Sequence, residues 1–349
     1  MVVEIQFYSG GTKVPPTTPS FIVVLIVPPP VEYKICKLFS YFIYNKGGVI
    51  GEPLVPLPPT IKLIFENKIN IGLSYKSIMN NETVEVKTYK SLFDFLQGHK
   101  YNKETHIDGP THTRIGDQKK IPGGSYYIPD NEYDHFMELY FNDIIKKNKQ
   151  EYLTERQLPN ESSPIAVDID LHFDYNTELR VYTQDHLDDM VDLYLEELKT
   201  IFQFDENTKF PIFLFEKDNM NRVAEKNITK DGIHMIIGLQ MDHKGQCILR
   251  KRIIGKIQEA WGDFPIVNTW NDVFDEGVSI GYTNWQLYGS AKPHHEPYKL
   301  KTVYNISYDS DDNELINLKG NVSDYLKKDT FKMLSIRNTN HCSLFYKTN

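Results

Sequence analysis

The chain has 349 residues, a formal net charge of −8 and 13% aromatic residues, a length that allows two ordinary domains or one large domain with an extension. Charged residues at 25% and hydrophobic residues at 40% are those of a folded soluble protein. The acidic balance argues at first against a nucleic-acid binder, which carries a basic patch. That balance is local, however. Residues 161–206 hold thirteen acids against two bases, Arg180 and Lys199, a charge of −11, and the rest of the chain carries +3. The three cysteines, Cys36, Cys247 and Cys342, stand far apart without a CxxC spacing, so neither a zinc knuckle nor a disulfide framework is readable and free thiols fit a reducing compartment. The longest apolar run, residues 21–27, ends in three prolines. It is too short to span a bilayer and lacks the flanks of a secretory signal. A soluble intracellular protein without membrane contact is expected.

The first 88 residues contain no Asp, His, Arg or Trp, whereas ten of the 19 prolines fall between Pro15 and Pro59. Proline fixes φ and lacks an amide donor, so such a stretch builds neither helix interiors nor central strands. Residues 1–88 are expected to be a proline-rich, poorly ordered extension, and residues 89–349 the folded part. There, residues 91–97 predict a short helix. Thr111-His112-Thr113-Arg114 and Pro122-Gly123-Gly124-Ser125 are turn-rich and lead into Tyr126-Tyr127-Ile128. Behind Pro129-Asp130, Tyr133, Phe136, Met137, Tyr140 and Ile144 recur at helical spacing.

Residues 164–173 read as a buried strand. Thr183 is a good N-cap for a helix with Leu187, Met190, Val191, Tyr194, Leu198 and Ile201 on one face. Asp185, Asp188, Asp189, Asp192, Glu196 and Glu197 read as its solvated face. Strands are predicted at 210–215 and 232–239, then a helix at 248–261 that turns Leu249, Ile253 and Ile257 inward and leaves Arg250, Lys251, Arg252 and Lys256 for other faces. Two more strands are predicted at 285–288 and 300–308. Strands alternating with helices give a mixed α+β (α/β) class.

Three segments could carry chemistry. In Ile165-Ala166-Val167-Asp168-Ile169-Asp170 the two acids stand at i and i+2 of a strand and so share one face. Close carboxylates repel unless a cation lies between them, and hard oxygen ligands suit Mg²⁺ or Mn²⁺. In Lys230-Asp231-Gly232-Ile233-His234 a small residue two before a histidine lets a phosphate approach, and His234 can donate to its oxygen. Further on, Asp275 can supply a third carboxylate, with Asp272 and Glu276 as competitors. Gly289-Ser290 form a tight turn, and Lys292 offers a positive charge to a triphosphate. His172 shares the face of the acid pair by strand parity. His294-His295-Glu296 reads as a surface loop.

In this order, the acid pair, the Gly-x-His and the late acid ahead of a Gly-Ser-x-Lys turn resemble the archaeo-eukaryotic primase superfamily. The likeness is nearest to the primase domain of large nucleocytoplasmic DNA virus primase-helicases of poxvirus and giant-virus type, and covers roughly residues 89–340. Where relatives place an arginine shortly before the Gly-Ser turn, this chain has Trp285-Gln286. The resemblance implies a primase-polymerase core with an RRM-like sheet. It also implies a DNA primase or primase-polymerase that makes primers from nucleoside triphosphates by two-metal-ion nucleotidyl transfer in viral DNA replication. Asp168, Asp170 and Asp275 would hold two Mg²⁺ or Mn²⁺ ions, Gly232, His234, Ser290 and Lys292 would bind the nucleotide, and Arg114, Arg250, Lys251 and Arg252 would contact the template. Single-stranded DNA, nucleoside triphosphates and a replicative helicase are the implied partners, and host cytoplasm or a viral factory the implied location. No GxxxxGK[ST] loop follows, so a primase part alone, truncated, split or separately encoded, is expected. The alternatives are a metal-dependent DxD glycosyltransferase acting on sugar nucleotides and an inactive primase-fold module that binds DNA.

Overall fold

A computed structural model of the protein describes residues 89–117 and 121–347, and before them only four short strands of backbone. The chain divides into two units, Met1–Thr88 and Tyr89–Asn349. In the first, β1 (Val2–Ile5) pairs antiparallel with β2 (Val23–Ile26), and β3 (Tyr75–Lys76) with β4 (Thr83–Val84). The expectation of a poorly ordered extension otherwise falls outside the described residues.

The second unit opens with α1 (Leu92–Gly98), whose N-cap Ser91 accepts the amide of Asp94, followed by β5 (His112–Arg114) and β6 (Gly124–Tyr126). Helix α2 (Asp130–Tyr140) runs on as a π-helical stretch, Phe141–Lys146, which keeps Phe141 and Ile144 buried. Then come β7 (Leu153–Glu155), β8 (Ser163–Asp174) and α3 (Gln184–Ile201), the helix held at its start by a capping box between Thr183 and His186. Next are β9 (Lys209–Glu216), β10 (Asn221–Val223), β11 (Ile228–Met241) and α4 (His243–Ala260). The second unit ends with α5 (Trp270–Val273), α6 (Glu276–Ser279), β12 (Trp285–Gln286), β13 (Lys299–Asp309), β14 (Glu314–Lys319) and a short 3₁₀ turn, Phe331–Leu334.

Two antiparallel sheets result, as the α+β class requires. In the larger, β8 lines one edge of β11. Along the other edge of β11, β10 pairs its first residues and β9 its middle, and β13 and β14 follow outward. The smaller sheet has the order β12-β7-β5-β6. Strand parity gives the large sheet two different faces. On the reverse face Val167, Ile169, Ile233, Met235, Leu214 and Tyr304 pack against Val191, Tyr194 and Leu198 of α3 and Leu249, Ile253 and Ile257 of α4. On the front face Ala166, Phe213, Ile236 and Val303 pack with Leu96, Phe136, Leu153 and Phe331, so α1, α2 and the small sheet cover that end.

Several details depart from the sequence reading. Helix α4 starts five residues before the expected 248, because Asp242 caps it by accepting the amide of Gly245. The acids of α3 are not one solvated face. Glu197 is buried and paired with Lys256 at 3.0 Å and Arg252 at 3.4 Å, and Asp188 accepts hydrogen bonds from Tyr304 and Gln184. Strand β14 went unread because its residues are mostly exposed and half polar. It is registered by a tight connection in which Asn313 takes φ +53°, a left-handed conformation that asparagine tolerates.

A buried polar knot fastens the turn at the end of Phe331–Leu334 to the small sheet. Glu155 of β7 accepts the Ser335 hydroxyl and the Ile336 amide, and Tyr133 donates to Ser335. Burial nevertheless pushes the Glu155 carboxyl up to about 7. A carboxyl raised in the folded state adds stability at acidic pH that is lost as pH rises through the raised value. On the order of 3 kcal/mol is at stake. The unfolding midpoint of the wild type should therefore fall as pH rises from about 4.5 to about 7 and level off above, with a visibly flatter slope in Glu155→Gln. Equal slopes for the two proteins would contradict the assignment.

Candidate active site

The front face changes character one step along each strand from its apolar core. In the apolar rung, Ala166 lies across from Ile236, and Ile236 across from Phe213. The next rung on this face joins Asp168 to His234, His234 to Phe215 and Phe215 to Leu300. Beyond it Asp170 pairs with Gly232, and β9 ends at Glu216, opposite Ile233. Sheet geometry therefore puts Asp168, Asp170, Gly232 and His234 on one face, at the end where the apolar cover stops, with Lys217 just past the end of β9.

His234 Nε2 stands 3.3 Å from Asp168 Oδ1. The imidazole lies between two rings: Tyr298 stacks on it at 3.5 Å between centroids, and Trp285 packs at 4.3 Å. Burial alone would raise the Asp168 carboxyl, but His234, and beyond it Lys292 and Lys217, outweigh burial and hold it below the usual carboxylate range. Asp170 goes the other way, raised by burial and then by the negative charge of Asp168. Asp168 Oδ1 is buried, and its contact with His234 Nε2 falls outside hydrogen-bond geometry. A buried carboxylate beside a second, repelling carboxylate fits a divalent cation held by hard oxygen ligands.

Asp275 comes to the same strand by its backbone. Its amide donates to the Asp168 carbonyl at 3.0 Å, and Phe274 bridges to Ile169. Its carboxylate, however, caps α6 by accepting the Gly277 amide at 2.8 Å. Among the described residues no three His, Cys, Asp or Glu side chains converge closely enough to hold a metal ion. The competitor Asp272 lies inside α5, where its carboxylate accepts the Thr269 hydroxyl at 2.6 Å and its amide donates to the same hydroxyl, the helix N-cap. His172 lies on the acid-pair face with its Nε2 buried and unpartnered, and burial followed by the Lys230 and Lys226 charges pushes it down, towards the neutral ring.

Three expected ligand contacts are corrected by burial. Ser290 is buried. Its hydroxyl pairs with Tyr140 at 2.8 Å and accepts the Leu153 amide at 3.1 Å. It therefore anchors the turn to the small sheet and does not face a nucleotide. Gly289 at φ +87° makes that turn possible, and a Cβ there would press on Ile144 at 3.0 Å. Arg114 is buried in a two-pronged pair with Glu151, at 2.8 and 2.7 Å, and cannot reach a template. Arg250 is buried too and donates to the carbonyls of Phe274 and Asn271, holding the loop that carries Asp275. Lys251 is exposed and Arg252 pairs with Glu197, but their helix packs on the reverse face of the sheet. Lys292 is exposed on its loop, close enough for its charge to act on both acids.

The sequence reading missed the scaffold beneath the site. On the reverse face Arg180 donates to Asp231 at 2.8 and 3.1 Å, to Glu216 at 3.0 Å and to the Lys217 carbonyl at 2.7 Å. This clamp ties the end of β9 to the start of β11, directly behind Lys217 and Gly232. Lys217 was also missed, although parity from the apolar Phe213 and Phe215 points to it.

A family model described as the C962R protein N-terminal AEP domain matches residues 111–304, which take in the acid pair, the Gly-x-His strand, Asp275 and Lys292. The chain therefore belongs to this family, an archaeo-eukaryotic primase domain of viral primase-helicases. It is also similar to a putative helicase, L207/L206, of Acanthamoeba polyphaga mimivirus. The two are 26% identical over 291 residues, covering 80% of this chain and 27% of that protein. Among the described residues no helix is long and apolar enough to cross a membrane.

Proposed function

We propose that the chain is a DNA primase or primase-polymerase that joins nucleotides on a single-stranded DNA template in viral DNA replication. The observation that carries this reading is the pair of buried carboxylates, Asp168 and Asp170, side by side on a strand end faced by His234 and Lys292. Asp168 and Asp170 would hold divalent Mg²⁺ or Mn²⁺, with Asp275 as third ligand once its carboxylate turns from the α6 cap. Bound ions of this kind supply Lewis-acid polarisation of the attacking 3′-hydroxyl and the departing pyrophosphate. His234, fixed in plane by Tyr298 and Trp285, donates to a phosphate oxygen, and Lys292 neutralises the charge that grows on the leaving group. Gly232 leaves the room that the Tyr298 ring takes beside His234. In the reaction the 3′-oxygen bonds to the α-phosphorus, the bond to pyrophosphate breaks, and the hydroxyl proton passes to solvent. A helicase, in the same polypeptide or as a separate chain, is the proposed partner, since the mimivirus relative carries that name and extends well beyond the matched region.

The test is primer synthesis by the full chain on single-stranded DNA with Mg²⁺ or Mn²⁺, offered ribo- and deoxyribonucleoside triphosphates separately. Products are expected with at least one set and none after chelation. Inactivity with every set contradicts the proposal. Turnover of a sugar nucleotide in its place would favour a DxD glycosyltransferase.

A further inference from the structure

We infer that Lys217 is a polyphosphate-binding residue of this site, holding the nucleoside triphosphate together with Lys292 and His234; the inference rests on the nucleotide-binding reading above. Lys217 directly follows Glu216, the last residue of β9, which pairs with Ile233, the neighbour of the Gly232 that faces Asp170. A column of rings sets its position. The Lys217 ammonium lies 4.6 Å over the centre of Tyr298, which stacks on His234, which packs on Trp285. A cation over an aromatic face is attracted to the ring, so the ammonium is steadied beside the imidazole. From behind, Arg180 fixes the Lys217 carbonyl.

The charges around it are unbalanced in a way that asks for an anion. Neighbouring lysines are neutralised: Asp218, the next residue, pairs with Lys299 and with Lys301 at 2.8 Å. Among the described residues neither Lys217 nor Lys292 makes an ion pair with a carboxylate, although the two cations stand close enough to repel each other. Lysines brought together without a direct ion pair, next to two carboxylates that repel each other, form a two-signed surface. A metal-bound polyphosphate matches both halves, its ion on the acids and its oxygens on the lysines. Gly232 belongs to this device. The Tyr298 hydroxyl lies 2.3 Å from where a Cβ at position 232 would be, so a larger residue would push the ring from beneath Lys217.

Equilibrium binding of ATP and dATP to the full chain with Mg²⁺, and competition by inorganic triphosphate, test the role. Lys217→Ala should weaken nucleotide and triphosphate binding by about tenfold or more, and Lys217→Arg should stay within about threefold of wild type. Unchanged affinity in Lys217→Ala, with Lys292→Ala and His234→Ala weakened, overturns the Lys217 role alone. A loss that Lys217→Arg does not restore overturns it in favour of support for the Tyr298 ring. A wild type that binds no nucleotide removes the underlying reading as well.

Discussion

Asp168→Asn combined with Asp170→Asn is expected to leave a folded protein with nucleotidyl transfer reduced on the order of a thousandfold, since the paired carboxylates are the proposed metal ligands. The stability arm of the same experiment separates a site from a scaffold. Asp170 is raised in the folded state by burial and by Asp168. A carboxyl raised in this way contributes stability below its ordinary range and loses it as pH rises, so at neutral pH the ionised group is a cost. In the presence of chelator, Asp170→Asn should therefore unfold at the same temperature as wild type or higher at neutral pH, while activity is lost. Full activity in the double variant would place the metal ligands elsewhere, and a collapse of stability would make the pair structural.

Arg114→Ala should do the opposite: unfold the protein without touching the chemistry directly. Arg114 and Glu151 are each about 5% exposed and joined by two parallel hydrogen bonds. Removing one partner leaves a buried, uncompensated charge, which costs about 3–5 kcal/mol. Urea unfolding should show that loss, and Arg114→Met combined with Glu151→Leu should recover much of it, because the Glu151 charge is then gone as well. Unchanged stability with weakened template binding would restore the nucleic-acid role that the buried geometry argues against.

What was legible beforehand follows from periodicity. The i, i+2 spacing of Asp168 and Asp170 at the end of an apolar run determines a shared face whatever the strand pairs with. The apolar spacing in 184–201 places α3, and the strand and helix order points to the α+β class. What was not legible depends on which strand lies beside which. The role proposed for Lys217 depends on β9 ending beside β11 at the Glu216–Ile233 pair, next to Gly232. Ser290, Arg114 and Arg250 look available in sequence because a hydroxyl or guanidinium reads the same exposed or buried. Only packing shows that Ser290 serves Tyr140 and Leu153, that Arg114 serves Glu151, and that Arg250 serves the loop before Asp275. Asp275 lies between these cases. Its backbone is bonded to Asp168, while its carboxylate is turned to its own helix.

The central claim is that the acid pair serves a reaction instructed by a template, and homopolymer templates test it most directly. With labelled nucleotides offered one at a time on oligo(dT) and oligo(dC), the full chain should incorporate only adenine nucleotides on the first and only guanine nucleotides on the second. Incorporation that ignores the template, or none on either, would contradict the account.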